Sequence, residues 1–144
     1  MMRLKNIEDG CCREFDLNRV YMDFYSLQIE ASTWVNEPNN RLNIIFPDPI
    51  IHYQITQERY KNKLIYDVCN CQDKVGNFFE ILSIEEYSAY LEEQSDGLFL
   101  FNHREKVHIY VLCFVSHIVE VLTYKPPILT YSFTEEWNKY NPEN

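Results

Sequence analysis

Along the first half of the chain, apolar and polar residues alternate with a period of two. Val20, Met22 and Phe24 share one parity, and Leu27, Ile29, Ala31 and Thr33 take the other. A one-residue slip turns every later side chain to the opposite face, so this change of parity predicts a bulge or tight turn near Tyr25-Ser26. Asn36-Glu37-Pro38-Asn39-Asn40 predicts a turn, since proline sets φ and asparagine tolerates left-handed geometry. Leu42, Ile44 and Phe46 restart the alternation until Pro47-Asp48-Pro49 ends it, because proline cannot donate to a central ladder. Ile51, Tyr53 and Ile55 predict a further strand. Leu64, Tyr66 and Val68 predict another, after the charged stretch Gln57 to Lys63. This half reads as an antiparallel meander.

The second half changes period. Asn77 to Leu82 predicts a short strand that runs into a helix start at Ser83-Ile84-Glu85-Glu86. That quartet has the form of a capping box, with the Ser83 hydroxyl on the Glu86 amide and the Glu86 carboxylate reaching back, worth about 1 kcal/mol. Leu82 and Tyr87 are spaced for the accompanying hydrophobic staple. Ile84, Tyr87 and Leu91 then fall on one helical face with Tyr90 beside them, and Gly97 is the natural stop. Val107 to Phe114 is apolar and rich in β-branched and aromatic residues, which predicts a central buried strand. Ser116 is placed to cap a short helix through Thr123, with Ile118, Val121 and Leu122 inward. Pro126-Pro127 would end it, and Ile128 to Phe133 would return as an edge strand. The predicted fold is α+β. An antiparallel sheet from the N-terminal half is joined by the central C-terminal strand, with the well-capped Ile84–Gln94 helix and one shorter helix packed on it.

Composition narrows the class. The chain has 144 residues, 46% hydrophobic and 15% aromatic, with only 3 Gly. One domain over 1–144 with a polar tail at 134–144 is expected, and intrinsic disorder and Gly-rich phosphate loops are excluded. The net charge of −9 argues against holding nucleic acid by phosphate neutralisation. The basic cluster Arg59-Tyr60-Lys61-Asn62-Lys63 reads as a solvated loop. The N-terminus has no apolar run behind Arg3 and Lys5. Val107 to Leu122 is too short and too polar to span a bilayer, so a cytoplasmic protein without membrane contact is expected.

The charge is uneven. Residues 1–72 hold 10 acids and 8 bases, whereas residues 73–144 hold 12 acids and 5 bases. Glu85, Glu86, Glu92, Glu93 and Asp96 cluster on the predicted helix with no Lys or Arg among them. Glu-Lys pairs one turn apart would each add a few tenths of a kcal/mol, and this helix forgoes them. Glu85 and Glu86 suit the positive helix end; Glu92, Glu93 and Asp96 lie toward the negative end and do not. A charge run of this kind is ordinarily a solvated face on an acidic protein, and its one-sided sign is the alternative reading, a surface for a basic partner. Glu135-Glu136-Trp137 has the composition of an interface anchor, and half-buried packing of Trp137 explains it as well.

Chemistry-bearing motifs are lacking. There is no Gly-x-Ser-x-Gly, Walker loop or His-Glu-x-x-His, and no catalytic residue is assigned. Cys113 and His117 lie on elements that would not face each other, and a thiol inside an apolar run is inert. The cysteines Cys11, Cys12, Cys69, Cys71 and Cys113 are odd in number, and Cys69-Asn70-Cys71 lacks zinc-knuckle spacing. Reduced thiols are expected, with no metal and no cofactor. His52, His103, His108 and His117 are read as ordinary core or surface residues.

Glu86-Tyr87, five further residues, then Glu93-Gln94-Ser95-Asp96-Gly97-Leu98 form a pattern that continues into His108-Ile109-Tyr110, Glu120-Val121-Leu122-Thr123 and Pro126-Pro127. This arrangement, confined to the C-terminal half, resembles small bacterial immunity-type proteins encoded in polymorphic-toxin loci. His117 departs from the acid more usual at the start of the last short helix. The resemblance implies a non-enzymatic binding protein that neutralises a cognate toxin, and it carries over no binding residues. A toxin that attacks nucleic acid is basic around its groove, so the acidic residues Glu85, Glu86, Glu92, Glu93 and Asp96 are the expected partner-binding face. The alternative is a small-molecule-binding or minor enzymatic domain with a tyrosine-lined pocket. A structural subunit of a homo-oligomer is a third reading, and no sequence feature fixes the oligomeric state.

Overall fold

Period-two alternation does build most of the chain into antiparallel strands. The computed structural model describes residues 2–8, 14–24, 26–33, 40–60, 62–72, 76–94 and 106–132. The parity change near Ser26 is a hairpin between β2 (Phe15–Asp23) and β3 (Ser26–Thr33), with Asp23 opposite Ser26. Phe24 turns the corner at φ 47°. The Ser26 hydroxyl donates to the Asp23 carbonyl at 2.8 Å, and Gln28 Nε2 donates to Asp23 Oδ2 at 3.1 Å. β4 (Arg41–Phe46) pairs with the far side of β3, and β9 (Ile128–Ser132) forms the edge beyond it. The result is a four-stranded sheet of order β2-β3-β4-β9.

A second sheet of five strands runs β1-β6-β7-β8-β5, where β1 is Leu4–Asn6, β5 Ile50–Gln57, β6 Phe78–Ile81, β7 His108–Cys113 and β8 His117–Thr123. The expectation of one sheet, with the central C-terminal strand joining the N-terminal meander, is corrected here. Leu42, Ile44 and Phe46 are fully buried on one parity only, so β4 needs cover on one face. In β7, Ile109, Tyr110, Val111 and Leu112 are all buried, so that strand needs cover on both. The five-stranded sheet supplies this position. One face packs Phe78, Tyr110, Leu112, Val119 and Val121 against Phe15, Leu27, Ile29, Leu42, Ile44 and Phe46 of the other sheet. Its opposite face packs Phe79, Ile81, Ile109, Val111, Ile118 and Leu122 beneath a helical layer.

That layer holds two further corrections. Leu64, Tyr66 and Val68 are not a strand but part of α1 (Lys63–Cys69). Asn62 caps it, its Oδ1 accepting from the Ile65 amide at 2.9 Å. Leu64, Ile65 and Val68 form the buried stripe, while Tyr66 is 61% exposed. Conversely, Ser116 caps no helix: His117 to Thr123 is β8, paired along β7 and β5. With both faces of β8 buried, its apolar run contains a helical spacing by coincidence.

The Ile84–Gln94 helix exists in two parts, a 3₁₀ turn over Ile84–Tyr87 followed by α2 (Ser88–Gln94). Tyr87 and Leu91 are buried, with Ile84 and Tyr90 packed beside them, as the spacing predicts. The capping box is absent. The Ser83 hydroxyl instead accepts from the Arg3 amide at 3.0 Å, and the Glu86 amide donates to the Ser83 carbonyl at 3.3 Å. Arg3, immediately before β1, has taken the capping group and ties the sheet edge to the helix start. The Asn36–Asn40 turn, the Gly97 stop, Cys11, Cys12, His103 and the 134–144 tail lie outside the described residues apart from Asn40. No disulfide joins Cys69, Cys71 or Cys113.

Candidate functional site

The buried stripe of Tyr87 and Leu91 turns the rest of the 3₁₀–α2 element outward. Glu85, Glu86 and Glu93 are exposed and Glu92 is half-buried, so the structure brings these carboxylates to the outer side of one element. Asp96 lies outside the described residues. Neither part of the element carries a base in its last turn. The ion pairs among the described residues are Arg19–Glu30, Lys63–Asp67 and His108–Glu80, and none of them involves Glu85, Glu92 or Glu93. Their charge is therefore open to solvent or to a partner.

The acidic face adjoins a cleft of about 380 Å³ lined by Met2, Asp67, Asn70, Cys71, Gln72, Glu86 and Tyr87. Asp67 of α1 bridges its walls, accepting from Lys63 Nζ at 2.9 Å and from the Tyr87 hydroxyl at 3.1 Å. Burial, then this contact with Asp67, raises the pKa of Tyr87. Exposed Tyr66 stands on the same helix. The acidic face thus has a concave, partly aromatic margin that the sequence does not announce, because the alternation over 64–68 predicts a strand.

Under the helices sits a buried carboxylate. Glu120 of β8 is 0% exposed, and both its oxygens accept from Asn62 Nδ2 at 3.2 Å, while Oε1 also takes the Tyr90 hydroxyl. One side chain thereby ties the N-cap of α1 and the middle of α2 to the central sheet. Burial raises the pKa of Glu120, and the bonds from Tyr90 and Asn62 oppose that rise. Burial and then the Glu120 charge raise that of Tyr90. The signal was visible as the only acid in the apolar run from Val107 to Leu122.

Two more buried acids, Glu8 and Glu80, lie toward the other end of the sheet. Glu8 Oε1 accepts from the amides of Asn77 and Phe78 at 2.5 and 2.7 Å, stapling the chain after β1 to the start of β6. Asn6 Nδ2 adds a bond at 3.3 Å. Gly76, at φ +83°, permits this approach, since a Cβ there would collide with Asn6 Nδ2 and lie 2.7 Å from Glu8 Oε1. Burial raises the pKa of Glu8 despite the two backbone bonds. Glu80 Oε2 meets His108 Nδ1 at 3.2 Å, and the His108 ring stacks on Tyr110 with centroids 6.0 Å apart. Nothing in the spacing of Glu8, Glu80 and Tyr110 along the chain announces that they meet; only the register of β1, β6 and β7 does.

No helix among the described residues is long and apolar enough to cross a membrane. Comparison with protein-family models, with curated proteins and with solved structures gave no match.

Proposed function

We propose that this protein is a non-enzymatic binding protein that engages a basic macromolecular partner through the face built from Glu85, Glu86, Glu92 and Glu93, with Asp96 continuing it in sequence. The observation that carries the reading is a helical element with carboxylates outward and no base of its own, on a chain of net charge −9. Omitting bases forgoes local helix support, and a surface charge of one sign acts mainly on association. The resemblance to immunity-type proteins supplies the biological form: neutralising a toxin in the cell that makes it. An acidic face set against a basic, substrate-binding groove speeds encounter and blocks the groove at once.

The direct test is to express the chain beside the product of the neighbouring open reading frame. Co-purification of the two with loss of toxicity is the expected result. A neighbour that stays toxic and elutes separately contradicts the reading.

A further inference from the structure

Among the described residues the two sheets end in four edge strands, and three of these are blunted against further pairing. β1 is three residues long and carries Lys5. β2 carries Asp16, Arg19 and Asp23, with a bulge between Leu17 and Arg19. β9 is five residues long and starts directly after Pro126-Pro127. β5 has none of these devices. It spans eight residues, holds no Asp, Glu, Lys, Arg or Pro, and pairs with β8 without a break in register from His52 to Gln57. On a chain of net charge −9, an uncharged edge lets a second copy approach without setting like charges opposite each other.

The backbone of β5 is set for such a pairing. The Glu58 amide donates to the Ser116 carbonyl at 3.1 Å, which fixes the alternation along the β5–β8 ladder. Gln54 and Thr56 bond toward β8, and the N–H and C=O of Tyr53 and Ile55 point away from it. No described strand lies on that side. The side chains agree with the backbone. Tyr53 and Ile55 stand opposite Val121 and Val119 of β8, on the face that packs against the four-stranded sheet. Both lie outside that core, 36% and 44% exposed.

We infer that β5 is the contact of a homodimer, in which two copies pair their β5 strands antiparallel about a two-fold axis near Gln54. A two-fold axis perpendicular to the sheet reverses strand direction and keeps equivalent faces together. It therefore sets Tyr53 of each copy opposite Ile55 of the other, an aromatic–β-branched pair of the kind that stabilises neighbouring strands. The same residues exchange their outward backbone bonds. The ends match as well. Asp48 stands just before β5 and Arg59 just after it, both exposed and neither ion-paired among the described residues. Antiparallel pairing brings the Arg59 end of each copy to the Asp48 end of the other. A second copy is favoured over a foreign strand because register and charged ends both follow from β5 itself. One strand pair, with Glu58 beside each Arg59, is a small interface, so dimerisation is weak and concentration-dependent. The inference does not rest on the acidic face, which lies on the 3₁₀–α2 element.

The test is sedimentation velocity of the full chain from about 10 μM to about 1 mM, with amide hydrogen exchange followed by NMR at both ends of that range. A monomer that becomes a dimer and nothing larger is expected. The amides of Tyr53 and Ile55 should gain protection at the high concentration, while those of Gln54 and Thr56, bonded toward β8, are protected throughout. Ile55→Lys, checked for folding by near-UV circular dichroism, should weaken dimerisation about tenfold, since the two-fold axis applies the lost pair twice. A lysine lowers the net repulsion between copies, so that loss would come from the edge itself. Ile128→Lys makes the same charge change on β9 and should leave the dimer intact. If Ile55→Lys does not fold, the wild-type amides decide. A monomer over the whole range, species that grow beyond the dimer, protection of Tyr53 and Ile55 that ignores concentration, or equal dimerisation in the two lysine variants overturns the inference.

Discussion

Glu120 and Glu8 are both buried acids whose pKa burial raises, yet they are built to opposite ends. Both oxygens of Glu120 are occupied, by Asn62 and Tyr90 from two helices. Glu8 spends one oxygen on the Asn77 and Phe78 amides, and its other oxygen is buried with no hydrogen-bond partner. A carboxylate with both oxygens bonded, to groups from two helices, is a structural tie. Burial and raised pKa alone do not separate the two cases; the hydrogen-bond account does.

The largest expected effect breaks the tie itself. Glu120→Ala leaves the half-buried Asn62 Nδ2 and Tyr90 hydroxyl without their acceptor and opens a cavity, so a loss of about 3 kcal/mol in urea unfolding is expected. A loss under about 1 kcal/mol would mean that the helices do not depend on Glu120.

Next is the pH dependence. The ordinary carboxylate value is 4.5, and both Glu120 and Glu8 lie above it in the folded protein. The folded state therefore holds protons that the unfolded chain releases. Their stabilising contribution is complete below the unfolded value and is lost as pH rises through the folded values. Within that window one such proton changes stability by about 1.4 kcal/mol per pH unit. Glu120→Gln, which cannot ionise, should make the decline above pH 4.5 shallower; an unchanged slope in a urea series across pH would exclude Glu120 as its source.

A smaller contrast sharpens the comparison. Tyr90→Phe removes a hydroxyl bonded to Glu120 and should cost about 1–2 kcal/mol. Tyr110→Phe removes a hydroxyl that meets no geometric hydrogen-bond criterion and interacts only with the Glu80 carboxylate, so it should cost less, under about 1 kcal/mol. Equal losses in thermal unfolding would erase the distinction between the two sites.

How far the chain announces this architecture depends on how many faces an element buries. Where one face is buried, periodicity speaks: the parity switch at the β2–β3 hairpin, the alternation of Leu42, Ile44 and Phe46, and the Tyr87–Leu91 stripe were all readable. Where both faces are buried it falls silent, and Ile118, Val121 and Leu122 passed for a helix stripe inside β8. In α1, every second residue from Leu64 imitated a strand. The apolar Ile65 between Leu64 and Tyr66, and the capping Asn62, were the contrary signals. The Ser83 cap failed for another reason: its hydroxyl was claimed by Arg3, 80 residues away in sequence. Of the sites, the acidic face is local in sequence and was legible apart from its cleft. The Glu8–Glu80–Tyr110 cluster is assembled by strand register and was not.

The smallest effect on folding belongs to the acidic face, where Glu92→Lys with Glu93→Lys should shift stability by no more than about 0.5 kcal/mol, as surface changes do. The same double variant gives the most direct measurement of the proposed function. Association rates with the protein from the neighbouring reading frame are compared for wild type and variant at low and high salt. The account predicts slower association for the variant, with the gap widest at low salt, where charges are least screened. Equal rates at both salt concentrations would contradict it.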